Sequence, residues 1–161
     1  MKTQKRTLMP RMFSHRAGKT FKKSSNKNAF ISFQKEITIK FLTVLNTVKL
    51  YHWKTMHFST HKATDELYSK LGDNFDKFTE VLMGKLNDRI HLERVKTISL
   101  KDLSSEKDIE REMIAFKGYL VSFDNKLQTK KGEMLNTDLL NIRDEILSDI
   151  NQFLYLLTLN K

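Results

Sequence analysis

The sequence has 161 residues, enough for one domain with a sizeable core but not for two. It contains no Cys, which excludes disulfides, thiolate metal sites and a Cys nucleophile, while five Gly and one Pro disfavour a turn-rich all-β fold. No apolar run approaches the roughly 18 residues of a membrane span, so we expect no membrane partner. The composition therefore favours a single, mostly helical domain.

The net charge of +10 is concentrated at the N-terminus. Residues 1–28 contain nine basic side chains and no acidic one, whereas the rest of the chain is almost neutral. Because this segment also lacks a sustained apolar period, we predict a disordered basic arm over 1–28 and a helical domain over 29–161. The basic residues of the arm are Lys2, Lys5, Arg6, Arg11, Arg16, Lys19, Lys22, Lys23 and Lys27.

Apolar residues at three- and four-residue steps predict four helices after the arm. We expect them over 29–57, from Ser59 or Thr60 to about Gly84, over 106–128 and over 136–159, with a turn around Gly132 before the last. The segment 86–104 fits either an extended stretch or a short crossover helix. An all-α four-helix bundle with one long crossover connection is the ferritin-like topology.

The end of the first helix and the second helix concentrate metal-binding side chains. His52 lies near the end of the first helix, and the second carries two pairs four residues apart, His61 with Asp65 and Asp76 with Glu80. Both pairs share one helix face, because eleven residues are almost three turns. Asp65 and Asp76 are nevertheless roughly 16 Å apart along the axis. Two antiparallel copies across a twofold axis would bring the pairs together, which predicts a shared site.

Three motifs carry a family resemblance: His52-Trp53, His61-x-x-x-Asp65-x-x-x-Tyr68 and Asp76-x-x-x-Glu80. Their order and spacing resemble the DNA-protection-during-starvation proteins (Dps), mini-ferritins of the ferritin-like superfamily. In the last helix, Asn141-x-x-Asp144-Glu145 and Tyr155-Leu156-Leu157 are similar to a Dps-like branch in large DNA viruses and phages.

The resemblance implies an inter-subunit ferroxidase centre. In it, His52, His61 and Asp65 of one subunit meet Asp76 and Glu80 of the twofold mate. It also implies a hollow dodecamer that stores ferric mineral, with hydrogen peroxide as the preferred oxidant. Trp53 would lie beside the centre and supply or trap an electron.

Each of these residues also has a simpler interpretation. Imidazole and carboxylate together suit iron, but zinc or manganese as well. His61 with Asp65 is equally an ordinary surface ion pair, and Trp53 a core aromatic side chain. His57 is either a substitute ligand or a solvated loop residue, while His15 and His91 are expected on the surface.

For the arm we favour non-specific binding to DNA, because Lys and Arg on a flexible segment neutralise phosphates and release counterions. The alternatives are a solubilising tail and a transit peptide, since the segment is poor in acids. The leading hypothesis is therefore an iron-oxidising, DNA-associating mini-ferritin in the cytoplasm, nucleoid or a virion. Its rival is a virion or nucleoid packaging protein on the same bundle without ferroxidase activity.

Overall fold

The computed structural model describes residues 20–127 and 135–159, with side chains from residue 28 onward. These residues form helices and no strand: α1 (Thr20–Lys54), α2 (Phe58–Leu86), α3 (Glu106–Val121), the single-turn α4 (Phe123–Lys126) and α5 (Thr137–Thr158). The all-α prediction is confirmed. Across the described ranges, no helix has the length and apolar character needed to cross a bilayer.

Helix α1 begins at Thr20, nine residues before the predicted boundary at Ala29. The sequence from 20 to 28 contains no Gly or Pro to stop a helix, although it carries no apolar period either. The prediction of disorder is therefore wrong for 20–28, and Lys22, Lys23 and Lys27 belong to a helix. Residues 1–19, which hold the other six basic side chains of the arm, lie outside the described part of the chain.

The start of α3 at Glu106 agrees with the prediction, and the other boundaries differ from the predictions by one to seven residues. Helix α2 begins at Phe58 and continues to Leu86, where Asn87 ends it in the left-handed conformation with φ of 48°. Helix α3 ends at Val121 rather than near 128, and α4 follows after Ser122. The predicted turn around Gly132 lies outside the described residues.

The directions of the helices follow from their side-chain contacts. Helix α1 runs antiparallel to α2, since only residues 55–57 separate them, and antiparallel to α3, since Phe41 contacts Phe116 and Phe33 contacts Phe123. Helix α5 runs antiparallel to both α2 and α3. Helices α2 and α3 are therefore parallel, and the segment 87–105 must carry the chain back along the length of the molecule.

The returning segment 87–105 contains neither a helix nor a strand. It is mostly exposed, but Leu103 packs against the core. Two lysine–carboxylate pairs attach its end, Lys54 to Asp102 and Lys101 to the buried Glu112. Of the two predicted conformations, the extended one is closer to what the structure shows.

The core is built around phenylalanine rings from three helices. Phe41 stacks on Phe75 with ring centroids 3.9 Å apart and planes within 2°. Phe78, fully buried, meets Phe41 edge-on at 5.5 Å and also contacts Phe33. Edge-to-face and offset contacts of this kind stabilise beyond their buried area, by roughly 0.5–1.5 kcal/mol each. This cluster fixes the relative height of α1 and α2.

Polar pairs line the seam between α2 and α5. Asn74 donates a hydrogen bond to Asp149 at 2.8 Å, and Lys77 forms an ion pair with Glu145 at 3.0 Å. Lys85 forms a further ion pair with Asp138 of α5 at 2.9 Å. Burial raises the pKa of Asp149, and Lys70 works in the opposite direction. The seam occupies one flank of α2, so the opposite flank, which carries His61, Asp65 and Asp76, is left beside α1.

Helix α3 starts with a capping box. The Ser105 side chain accepts from the Asp108 backbone N–H at 3.2 Å, while Asp108 accepts from the Ser105 backbone N–H at 3.0 Å. Hydrogen bonds from Ser105, and then from Arg111, lower the pKa of the Asp108 carboxyl to about 2. The capping box thereby fixes where the returning segment ends and the second half of the fold begins.

We expect the Asp108 carboxyl to titrate near 2 in the folded protein, and Ser105→Ala to move its pKa up toward 3.8. Since the folded pKa is depressed, the stabilisation is fully present above pH 3.8 and disappears as pH falls through about 2. Carboxyl carbon chemical shifts in an NMR pH titration measure both values. An Asp108 pKa that is the same in both proteins would contradict the capping-box assignment.

Candidate metal centre

The candidate centre lies at the junction of α1 and α2. His52 is in the last turn of α1 and is only 7% exposed, while His61 in the first turn of α2 is half-buried. The turn 55–57 brings the two side chains face to face, with ring centroids 3.9 Å apart and planes at 23°. Two histidines that are nine residues apart in sequence thus form one stacked pair.

The histidine pair is held by reciprocal hydrogen bonds to the backbone. Nδ1 of His52 lies 3.1 Å from the carbonyl oxygen of His61, and Nδ1 of His61 lies 3.0 Å from the carbonyl oxygen of His52. A carbonyl oxygen can only accept, so both Nδ1 atoms must carry the proton. In the neutral rings both Nε2 atoms therefore keep their lone pairs, which is the state a metal ligand needs.

Asp65 provides a carboxylate beside this pair. Its Oδ1 lies 3.8 Å from Nε2 of His52, and its side chain is 59% exposed. The distance exceeds that of a hydrogen bond. It is within the span of two metal–ligand bonds of about 2.1 Å each, so a cation fits between the two atoms. The structure therefore places His52 beside His61 on one side and beside Asp65 on the other, as two pairwise contacts.

The remaining two predicted ligands, Asp76 and Glu80, lie farther along α2. Both are exposed, on the part of the helix surface that continues from Asp65 toward the C-terminal end of α2. Across residues 20–127 and 135–159, no three His, Asp or Glu side chains converge closely enough to hold a metal ion. A single protomer thus presents part of a site, and the five residues do not meet within it.

Trp53 follows His52 in sequence but lies on the outside of α1, 67% exposed. The ammonium group of Lys49 lies 5.8 Å from its ring centroid and 4.6 Å from that of Tyr68 on α2. The interpretation of Trp53 as a core aromatic side chain is wrong, because the apolar stripe of α1 faces the other way. Its role in electron transfer stays a prediction.

The other described histidines do not join the pair. His57 is the exposed N-cap residue of α2 and makes no side-chain capping hydrogen bond. His91, on the segment 87–105, contacts Glu93 through Nδ1 at 2.9 Å and Asp88 through Nε2 at 3.3 Å. These two contacts, Glu93 first, raise the pKa of His91 and engage both of its nitrogens. His15 lies outside the described residues.

Thr64 is a residue of the centre that the sequence motifs did not reveal. It directly precedes Asp65 in sequence and is fully buried. Its hydroxyl lies 3.2 Å from Nδ1 of His52. Thr60, one turn earlier, is also fully buried. The sequence does contain a signal for this role: Thr60 and Thr64 occupy core-facing positions of an amphipathic helix. Buried hydroxyl groups require hydrogen-bond partners, so such positions point to a polar contact in the core.

The described molecule is an all-helical protein with a stacked histidine pair and a nearby carboxylate at one helix junction. The chain belongs to a family of unknown function (DUF5856), which matches residues 52–157. The matched region begins at His52 and includes all five predicted ligands, while the basic arm precedes it. No curated protein and no solved structure shows a significant match.

Proposed function

We propose that the protein is a Dps-like mini-ferritin that oxidises and stores iron, binds DNA non-specifically through its basic arm, and protects that DNA from oxidative damage. The observation that carries the proposal is the histidine pair, whose two Nε2 atoms carry no proton in the neutral rings, with Nε2 of His52 lying 3.8 Å from the Asp65 carboxylate. Two imidazoles and a carboxylate with open positions suit Fe(II) that must meet an oxidant.

The order of helix directions supports a ferritin-like bundle. A short turn joins two antiparallel helices, a long segment returns the chain, and two further antiparallel helices follow. A bundle with one long crossover connection is the ferritin-like arrangement, whereas an up-down-up-down bundle needs only short loops. The 87–105 segment supplies that crossover without a helix of its own.

The shared site across a twofold axis is supported by the position of Gly72. It lies midway along α2, and a Cβ added there would meet no atom of the protomer within 4 Å. A Gly inside a helix costs about 1 kcal/mol relative to Ala, and its small size permits a second helix to approach closely. Two α2 helices crossing antiparallel at Gly72 would put Asp65 level with Asp76 and Glu80 of the partner subunit.

In this arrangement each dimer has two equivalent sites, and a closed shell of dimers provides the cavity for ferric mineral. Iron is the substrate: two Fe(II) ions each give up one electron, and hydrogen peroxide takes both electrons and two protons to become two waters. Trp53, the residue after His52 in sequence, would supply or trap an electron if only one iron is present. Zinc or manganese would occupy the same ligands without this chemistry.

The decisive test compares iron oxidation in two double variants of α2. Asp76→Asn with Glu80→Gln removes both carboxylates proposed to come from the partner, and Asp73→Asn with Glu66→Gln changes the same residue types elsewhere on the helix. After anaerobic loading with Fe(II) and addition of peroxide, we expect ferric absorbance to grow at least tenfold more slowly in the first variant only. Equal rates in all three proteins would refute the shared site.

DNA binding by the arm is tested through its salt dependence. Six neutralised phosphates give a slope of about −5 in a plot of log K against log salt, from roughly −0.9 per phosphate. We expect the slope on duplex DNA of random sequence to become less steep by about this amount when the basic residues of 1–19 become Gln: Lys2, Lys5, Arg6, Arg11, Arg16 and Lys19.

The matched control neutralises six exposed basic residues of the helical domain instead: Lys35, Lys62, Arg89, Arg94, Lys96 and Lys107. Fluorescence anisotropy between 50 and 200 mM salt measures both slopes. A larger loss in the control than in the arm variant would move the DNA-binding surface to the domain.

One observation favours the rival, a virion or nucleoid packaging protein on the same bundle: in the described ranges no protomer completes a metal cluster by itself. A third possibility is a zinc-stabilised dimer that uses the same His and carboxylate side chains without redox chemistry, and aerobic Fe(II) titration followed by ultraviolet absorbance separates it. Iron storage needs a closed shell, so light scattering separates the mini-ferritin from the packaging protein. From the dodecamer that the family resemblance implies, we expect a particle of about twelve chains. A monomer or dimer that retains DNA binding would refute iron storage and favour the packaging role.

A further inference from the structure

We propose that Thr64 is a positioning residue for the histidine pair: its buried hydroxyl oxygen accepts a hydrogen bond from Nδ1–H of His52 and so keeps the ring oriented with Nε2 toward Asp65. This inference rests on the proposed metal site, but it is a statement about the protein without metal. It concerns a threonine that none of the three sequence motifs includes.

The hydrogen bonds of Thr64 leave its hydroxyl only one role toward His52. Oγ1 lies 2.8 Å from the carbonyl oxygen of Thr60 and 3.0 Å from that of His61, and both of these atoms can only accept. The single hydroxyl hydrogen is therefore committed to the helix backbone. Toward Nδ1 of His52, 3.2 Å away, Oγ1 of Thr64 can therefore present only a lone pair. A hydrogen bond between the two atoms then requires a proton on Nδ1.

His52 Nδ1–H thus lies between two acceptors, the Thr64 hydroxyl and the His61 carbonyl. The other tautomer would place a nitrogen lone pair against two oxygen lone pairs in a position from which water is excluded, since Thr64 is fully buried. Buried polar atoms left without a partner are costly. Thr64 therefore adds a second acceptor for the tautomer that the His61 carbonyl oxygen already requires, and it limits rotation of the ring.

A matched residue separates this role from ordinary helix packing. Thr47 on α1 is equally buried, and its Oγ1 donates to the carbonyl oxygen four residues earlier at 2.7 Å, as Thr64 does. It has no described contact with either histidine of the pair. Thr47→Val therefore reproduces the structural consequences of Thr64→Val without affecting the proposed acceptor.

The experiment uses the full chain with the substitutions Thr64→Val, Thr64→Ser and Thr47→Val. Long-range ¹H–¹⁵N spectra of the metal-free proteins report which nitrogen of His52 carries the proton. Titration with Co²⁺, followed by visible absorbance, reports metal affinity. For Thr64→Val we expect the loss of one of the two acceptors to shift the Nδ1 resonance of His52, and Co²⁺ binding to weaken about tenfold because the ring is less firmly oriented. Thr64→Ser and Thr47→Val should keep the wild-type spectrum and affinity.

Two results would overturn the inference: an unchanged His52 spectrum in Thr64→Val, or equal changes in Thr64→Val and Thr47→Val. A failure of the proposed iron oxidation would be seen in a different measurement. In that case wild-type protein would form no ferric product with peroxide, while the tautomer comparison in metal-free protein would still answer the question about Thr64.

Discussion

The apposition of α1 and α2 is the constraint on which the rest of the structure depends. Residues 55–57 are too few to let the two helices separate, so the end of one and the start of the other must pack side by side. Stacked Phe41 and Phe75 fix their height along the axis, and the reciprocal histidine–carbonyl hydrogen bonds close the junction. The candidate centre is a consequence of that pairing.

Much of this architecture is visible in the sequence, because burial imposes a period on apolar residues. The four long helices follow from that period. The position of the α2 ligands on one face of the helix follows from their spacing. The start of α1 at Thr20 cannot be predicted in this way, because the residues before Ala29 have no apolar period. A helix without a buried face leaves no periodic signal, so the predicted arm extended nine residues too far.

The geometry of the centre was beyond what spacing can predict. Spacing placed His61 and Asp65 on one helix face, but the stacking of His52 on His61 depends on the path of the turn, and the proton positions depend on which carbonyls the rings meet. The buried charges were also missed. Glu112 pairs with Lys101, and Arg143 reaches the carbonyl oxygen of Leu120 and the carboxylate of Asp124. Long-range partners of this kind have no local sequence pattern.

The crossover segment 87–105 divides the chain into two helical hairpins, α1 with α2 and α3 with α5. All five candidate ligands, Thr64 and Gly72 belong to the first hairpin. The second hairpin covers the apolar side of the first and holds α2 through the polar seam with α5. Insertions and substitutions in the second hairpin can thus change the surface or the stability of the domain while the candidate ligands remain within one contiguous stretch of sequence.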